Sequence, residues 1–264
     1  MFKKRPLLVF FPLAFLLSWY PYLLGKTHLV RTSGGMNPLG VAVAAIIVAA
    51  IYYGKLGVKE LLGRYLCWRV GWSNYIFALL VPAVITLLGA VLNVLFGAAR
   101  PGRAQLAAWP EILPSFIFIF LFIGLGEETG WRGFALPELQ KRFSPLIASF
   151  ILGVIWAAWH IPLFGVEFSG PIIPAFLLSV MAASVLSAWL FNHSKGSLLP
   201  QPLFHAAVNA LGAGYVFRMF KGADVTRLWW IDTTLWLLAA LVFVLAFRKV
   251  MMKATLSDAE STRI

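Results

Sequence analysis

Residues 112–131 read ILPSFIFIFLFIGLGEETGW, and this stretch decides the fold class. Its first part is apolar for long enough to enter a lipid bilayer, because a membrane helix needs about 20 mostly apolar residues. Its last part carries two adjacent acids, Glu127 and Glu128. A charge inside a membrane helix is costly, and it persists where it pairs, lines a wet cavity or takes part in chemistry. The stretch therefore predicts a membrane protein with a functional site below the bilayer surface.

The rest of the chain has the same apolar character. Of its 264 residues, 61% are hydrophobic and only 12% are charged, and the mean hydropathy is +0.85. A soluble domain is about half apolar and about a quarter charged. We therefore expect an all-α fold, a polytopic membrane helical bundle with about eight transmembrane helices and a polar intramembrane cavity. The eight apolar runs are 7–24, 36–53, 74–97, 112–131, 145–164, 171–192, 198–217 and 228–247.

These runs leave no room for a separate soluble domain, so residues 1–264 are predicted to form a single integral membrane domain. The basic start and the apolar run up to about Leu24 contain no small-x-small cleavage site, so we expect an uncleaved first span. The segment Lys55–Trp72 mixes charged and apolar residues at helical spacing. This mixture predicts an amphipathic helix lying in the membrane interface.

The basic residues point to a membrane orientation. A net charge of +12 would suggest nucleic acid as the partner of a soluble protein. Here Lys and Arg lie mostly between the apolar runs, where they set the direction of insertion. More of them fall on the side of the N-terminus. We therefore expect a cell-membrane protein with both termini cytoplasmic, in contact with the lipid bilayer and with no nucleic-acid partner.

The acidic cluster at the end of the fourth run combines two roles. Glu128 and Arg132 are four residues apart, so they share a helix face and can form an ion pair. Glu127 points about 100° away and has no partner in its own turn. This arrangement predicts a braced carboxylate at Glu128 and a carboxylate at Glu127 that is free to exchange protons.

Imidazole and amide groups occur in two later runs. His160 is expected well inside the fifth span, just before Pro162. His205 and Asn209 are four apart, which puts both on one face of the seventh span. Taken alone, each of these groups is also compatible with hydrogen bonds between packed helices.

Glu, His, His and Asn together suit the hydrolysis of a peptide bond by activated water. A carboxylate with an imidazole can take a proton from water and pass it to the leaving amine. A second imidazole and an amide can donate hydrogen bonds to the developing oxyanion. The sequence contains no G-x-S-x-G turn and no H-E-x-x-H helix, and we expect Asp224, Asp232 and Asp258 to lie outside the span interiors. No cofactor is required, although Glu127, His160 and His205 could also hold zinc.

The same residues form a pattern that resembles a known family. Glu127-Glu128 with Arg132, Trp156-x-x-x-His160 and His205-x-x-x-Asn209 are similar to the motifs of the CPBP (CAAX protease and bacteriocin-processing, ABI) family, to which the type II CAAX prenyl endopeptidases belong. The recognisable core covers about residues 55–211. The resemblance implies that Glu127 and His160 activate water, that His205 and Asn209 form an oxyanion hole, and that Glu128 and Arg132 support them. Trp156 stands where the family often has Phe, and we expect this difference to alter packing more than chemistry.

The expected boundaries conflict with this site in one respect. With the fourth span ending near Trp131, Glu127 lies about 8 Å and His205 about 10 Å from the inner face, whereas His160 lies about 22 Å from it. The three can meet only if the fourth span continues past Arg132, the fifth begins later, or both tilt.

The resemblance implies a membrane endopeptidase acting on a peptide or protein substrate that can be lipidated. Bacterial members of the family are linked to bacteriocin maturation or immunity. Two other readings stay open on sequence alone, a non-catalytic immunity or scaffold protein and a proton-coupled transporter.

Overall fold

The structure, a computed structural model, describes residues 5–26 and 35–252, which form helices joined by short turns. The all-α prediction is confirmed for these residues, in which the β-type pairing is one isolated bridge between Phe164 and Phe168. The helices are α1 Leu7–Lys26, α2 Leu39–Gly63, α3 Trp72–Leu95, α4 Arg103–Gln140, α5 Pro145–Trp159, α6 Ile172–His193, α7 Pro200–Leu211, α8 Ala223–Ala246 and the short α9 Arg248–Met252. The basic N-terminal residues, much of the first loop and Asp258 lie outside the described ranges.

Seven helices within the described ranges are long and apolar enough to cross a membrane, namely α1 to α6 and α8. The remaining predicted run, 198–217, forms α7 and a π-helical turn, Gly212–Val216. It is shorter because it begins inside the bundle, where Pro200, Gln201 and Pro202 are all buried. The chain is therefore a multi-pass helical membrane protein.

Helices α1 and α2 pack at very short range. A Cβ atom added to Gly40 would lie 2.4 Å from the carbonyl oxygen of Leu17, so no larger residue fits at this crossing. The buried face of α2 continues with small residues such as Ala44 and Ala45. Small residues allow membrane helices to approach closely and gain dispersion contacts, since lipid provides no hydrophobic driving force between helices.

The amphipathic segment after α2 is shorter than predicted. At Gly54 the backbone kinks (φ 65°, ψ −160°), and the helix then continues to Gly63 and ends in the 3-10 turn Arg64–Leu66. Leu61 in this part is buried whereas Lys59 is exposed, as an amphipathic helix requires. The prediction of helix up to Trp72 is wrong from Cys67 onward, where the chain is irregular and passes through Gly71 at φ 86°.

The depth conflict disappears because α4 is longer than its apolar run. It starts at Arg103 and continues to Gln140, well past Arg132. At 1.5 Å per residue, Glu127 lies about 20 Å from the end of α4 at Gln140, and His160 lies about 22 Å from the start of α5 at Pro145. A short turn joins these two helix ends. Glu127 and His160 therefore lie at similar depths on neighbouring helices.

The sequence predicted that His160 lies well inside a helix. In the structure it lies at the end of one. It is the C-cap residue of α5, and the 3-10 turn Ile161–Leu163 follows it. Pro162 in that turn cannot continue the α-helical hydrogen bonds. The proline therefore releases the backbone just after His160, which leaves its ring at the edge of the interior.

Candidate active site

The two acids occupy one α-helical turn between two π-helical segments of α4. Leu125–Gly130 is α-helical, whereas Ile119–Gly124 before it and Trp131–Ala135 after it are π-helical. Such π-helical turns are rare and are frequently found at functional sites. Gly130 lets this region lie directly against α2, because a Cβ atom there would come within 2.4 Å of the Val41 side chain.

Glu128 anchors a buried charge cluster. Its Oε1 accepts hydrogen bonds from Arg132 Nη1 at 3.0 Å and from His205 Nδ1 at 2.9 Å. The pairing of Glu128 with Arg132 confirms the prediction made from their spacing. The relative exposures are 2% for Glu128, 1% for Arg132 and 6% for His205, so water screens these interactions very little. Since the carboxylate accepts, the proton between it and His205 resides on Nδ1.

Glu127 is held by a residue of another helix. Its Oε2 accepts a hydrogen bond of 2.7 Å from the indole Nε1 of Trp156, and its Oε1 lies 3.9 Å from His205 Nε2. Trp156 also places its ring 4.2 Å from the guanidinium carbon of Arg132, in a cation–π contact. Trp156 therefore touches both the free carboxylate and the cation of the site.

This contact shows how Trp156 could affect chemistry as well as packing, and the expectation that packing dominates stays a prediction. A phenylalanine at this position would keep the ring but could not donate a hydrogen bond to Glu127. The sequence contained one usable signal, because the spacing of Trp156 and His160 places them on the same face of α5. This spacing did not reveal that Trp156 contacts Glu127 on α4.

The tautomer of His160 follows from its surroundings. Its Nδ1 lies 2.8 Å from the carbonyl oxygen of Trp156, and a carbonyl can only accept, so Nδ1 carries the proton. Nε2 of the neutral ring then has a free lone pair. The ring contacts Trp156 and Phe176 at centroid distances of 5.8 and 5.0 Å. His160 is therefore arranged as a proton acceptor.

His160, His205 and Asn209 converge on one cavity of about 110 Å³. This confirms the predicted polar cavity within the bundle. Its other walls are largely aromatic, with Phe168, Phe176, Phe217, Trp229 and Trp236. A second, smaller cavity of about 30 Å³ touches Glu128, Arg132, His205 and Asn209, and this is about the volume of one water molecule.

Of the six predicted site residues, Glu127, Glu128, Arg132 and His205 form one contiguous cluster, and Asn209 lies one turn after His205 on α7. His160 does not contact Glu127 directly. The two are linked through Trp156, whose indole donates to Glu127 and whose carbonyl accepts from His160.

A further acid, Asp232, lines the same cavity and was missed. From the apolar runs we expected it outside the span interiors, but it lies within α8 and is 4% exposed. The prediction was wrong because α8 begins at Ala223, earlier than the apolar run, which moves Asp232 away from the helix end. The sequence did contain a signal for this position, because Asp232 is an acid inside an apolar run and such acids are frequently functional.

The part of the chain that contains the predicted site residues is similar to known proteins. Residues 109–211 match the family model described as type II CAAX prenyl endopeptidase Rce1-like. The expected family resemblance is confirmed over this segment. The Rce1-like segment contains all six predicted site residues and Trp156, whereas Asp232 lies beyond it.

A curated relative agrees with the Rce1-like match. The chain is 32% identical over 143 residues to the protein named CAAX prenyl protease 2 from Methanococcus maripaludis. The alignment covers 50% of this chain and 52% of the relative. The chain thus spans about half the length of the curated relative it matches.

A zinc site would need several of these side chains to face one point. Among the residues that the structure describes, no group of three or more His, Cys, Asp or Glu side chains is placed so as to hold a metal ion. Glu128 Oε1 is already engaged by Arg132 and His205.

The ion pair can be tested by unfolding measurements. Arg132→Met leaves the Glu128 carboxylate buried without its cation, and we expect it to lower the free energy of unfolding by about 3–5 kcal/mol. The double variant Glu128→Gln with Arg132→Met removes both charges and should recover most of this loss. Thermal unfolding of the three proteins in one detergent measures the effect. If Arg132→Met were as stable as the parent, this result would contradict a stabilising buried ion pair.

Proposed function

We propose that this protein is an intramembrane endopeptidase that hydrolyses peptide bonds with water activated by Glu127. The observation that carries the proposal is the buried Glu127 carboxylate, which accepts a 2.7 Å hydrogen bond from Trp156 and lies 3.9 Å from His205, both of which line the cavity of His160 and Asn209. The Rce1-like match of residues 109–211 supports the same reaction class.

In the first step Glu127 takes a proton from a water molecule while the water oxygen attacks the carbonyl carbon of the scissile peptide bond. A tetrahedral intermediate with a negatively charged oxygen results. The hydrogen bond from Trp156 orients Glu127 for this transfer. No covalent bond between enzyme and substrate is formed.

The charge on that oxygen is stabilised by donors on α7. His205 Nε2–H and the side-chain amide of Asn209 lie on one face of this helix and donate to the oxyanion. Because His205 already donates through Nδ1 to Glu128, it acts here as an imidazolium. The net charge of the cluster is then zero, because the Glu127 and Glu128 carboxylates are balanced by Arg132 and this imidazolium. A cluster without net charge costs less free energy to bury in a medium of low dielectric constant.

In the second step the carbon–nitrogen bond breaks and the leaving nitrogen receives a proton. Glu127 gives up the proton that it took in the first step, and His160 carries this proton to the nitrogen by accepting it on Nε2 through a water molecule, since its Nδ1–H is fixed on the Trp156 carbonyl. The products are a new carboxylate end and a new amine end. All transferred protons come from the one water molecule and the site residues.

The substrate class follows from the position and lining of the cavity. It lies at membrane depth among aromatic side chains, so a peptide that enters it is anchored in the bilayer or carries a lipid. The relative is named a CAAX prenyl protease, and we propose a prenylated peptide as the substrate of this chain. We place the protein in the cell membrane with both termini in the cytoplasm, which requires α7 and the helical turns that follow it up to Met219 to cross the bilayer as an eighth span.

Glu127→Gln decides between catalysis and a passive role. The amide retains the shape of the side chain but cannot accept a proton from water, so we expect at least a ~1,000-fold loss of kcat in the cleavage of a farnesylated CAAX peptide. Mass spectrometry of the products in detergent or nanodiscs measures it. An unchanged melting temperature shows that folding is intact.

Two outcomes would overturn the proposal. If the purified protein cleaves no lipidated peptide, and a cellular immunity phenotype survives Glu127→Gln, the non-catalytic immunity or scaffold reading is correct. If chelators abolish cleavage and added zinc restores it, the site is a metallopeptidase and Glu127 is a ligand, not the proton acceptor.

Trp156→Phe tests whether the indole N–H orients Glu127. Hydrogen bonds to charged groups contribute about 1.5–3 kcal/mol, so we expect kcat to fall by about 10- to 100-fold with little change in KM. Trp189→Phe is the matched control, because Trp189 is a buried tryptophan that packs against Phe77 and Phe243, away from the cavity. Equal effects of the two variants would show that Trp156 acts only in packing.

The single cysteine of the chain reports the orientation. Cys67 is exposed in the connection between α2 and α3, which faces the cytoplasm if the N-terminus does. We expect a membrane-impermeant maleimide to label it in inverted vesicles and not in intact cells, with Cys67→Ser as the unlabelled control. Labelling of intact cells would reverse the proposed topology.

A further inference from the structure

The cavity has a second polar wall that the proposed mechanism leaves unused. Asp232 on α8 lines it together with His160, His205 and Asn209, which come from α5 and α7. Asp232 is buried, and its Oδ1 has no hydrogen-bond partner among the described residues. A carboxyl group at membrane depth is costly, by roughly 3 kcal/mol on insertion scales.

The other acid described on α8 shows what a structural carboxylate looks like in this protein. Asp224 Oδ1 accepts a 2.7 Å hydrogen bond from Arg227, and its Oδ2 accepts from the backbone N–H of Ala99 at 3.1 Å. Asp232 has no such arrangement. No ion pair involves it within the described ranges, and its polar neighbour is the side chain of Trp236 on the same helix. Unlike Asp224, Asp232 therefore has no cation that balances its charge among the described residues.

A peptide inside the cavity would bring the missing partner. Its main-chain N–H groups lose water on entering and need acceptors, because nothing in the bilayer interior can replace them. The aromatic walls offer no such acceptor. The carboxyl group of Asp232 lines this cavity together with His205 and Asn209, and its Oδ1 lies beside Gly89 of α3.

We propose that Asp232 is a substrate-binding residue, whose carboxyl group accepts a hydrogen bond from a main-chain N–H of the bound peptide and so holds the scissile bond against His205 and Asn209. This inference rests on the proposed function for the identity of the ligand as a peptide. It assigns a role in binding, separate from the proton transfers at Glu127.

Two variants separate the acceptor from the charge. Asp232→Asn keeps a carbonyl oxygen of the same reach, so we expect KM for a farnesylated CAAX peptide to stay within about three-fold. Asp232→Leu removes the acceptor, and we expect KM to rise by about ten-fold while kcat changes little. Thr233→Val is the control for losing a polar group from this helix, because Thr233 is buried and donates instead to the carbonyl of Ala175 at 2.9 Å.

A substrate change identifies the donor. A series of peptides in which single amide N–H groups are replaced by ester oxygens should contain one position that weakens binding about ten-fold in the parent chain and has no effect with Asp232→Leu. Affinities are measured in the Glu127→Gln background, through the fluorescence of the cavity tryptophans. This readout needs no cleavage, so it tests Asp232 even if the proposed hydrolysis fails.

Each other outcome overturns the inference. If Asp232→Asn weakens binding as much as Asp232→Leu, the residue binds a cation. If Asp232→Asn instead lowers kcat as Glu127→Gln does, Asp232 acts in proton transfer. If Asp232→Leu behaves like Thr233→Val in binding, or no ester position distinguishes it from the parent, Asp232 makes no contact with the substrate.

Discussion

The ion pair between Glu128 and Arg132 is the interaction on which the site depends. It lies at a depth where an isolated charge would be expelled or neutralised, and each partner makes the burial of the other tolerable. Glu128 Oε1 also fixes His205 through Nδ1, which sets the direction of the ring on α7. Because Arg132 balances Glu128, a second carboxylate can lie in the same turn. Without Glu128, His205 would lose the acceptor of its Nδ1–H.

The backbone of α4 is adapted to carry this cluster. In a regular α-helix, Glu127 and Glu128 would continue the hydrogen-bonding pattern of their neighbours. In α4 they lie instead in one α-helical turn that has a π-helical segment on each side. Gly130 then brings that turn directly against the Val41 side chain of α2. The polar turn is thus enclosed by protein on the side where lipid would otherwise reach it. This enclosure allows ionisable groups to persist within an apolar span.

Local spacing predicted part of this site, and contacts between helices supplied the rest. The pairs Glu128–Arg132 and His205–Asn209 are readable because residues four apart share a helix face. The contact of Glu127 with Trp156 joins residues 29 positions apart on different helices, and spacing carries no information about it. The number and type of the helices followed from apolar length. The boundaries of α4 and α8 did not, because both helices extend beyond their apolar runs, and those extensions decide the depth of Glu127 and Asp232.

The cavity unites two requirements that oppose each other in a membrane. Bond hydrolysis needs water, a carboxylate and hydrogen-bond donors, whereas a lipid-anchored peptide needs apolar walls. Here the ionisable and amide groups that line the cavity come from α5, α7 and α8, and the aromatic walls from α5 to α8 and their connections. Glu127 on α4 is linked to the cavity through Trp156 and His205. Trp156 and Trp236 contribute to both, since each indole presents an apolar face to the cavity and a polar edge towards a carboxyl group. Tryptophan is therefore the side chain that allows an acid to be buried beside a hydrophobic ligand, and its replacement by phenylalanine would preserve the wall while releasing the acid.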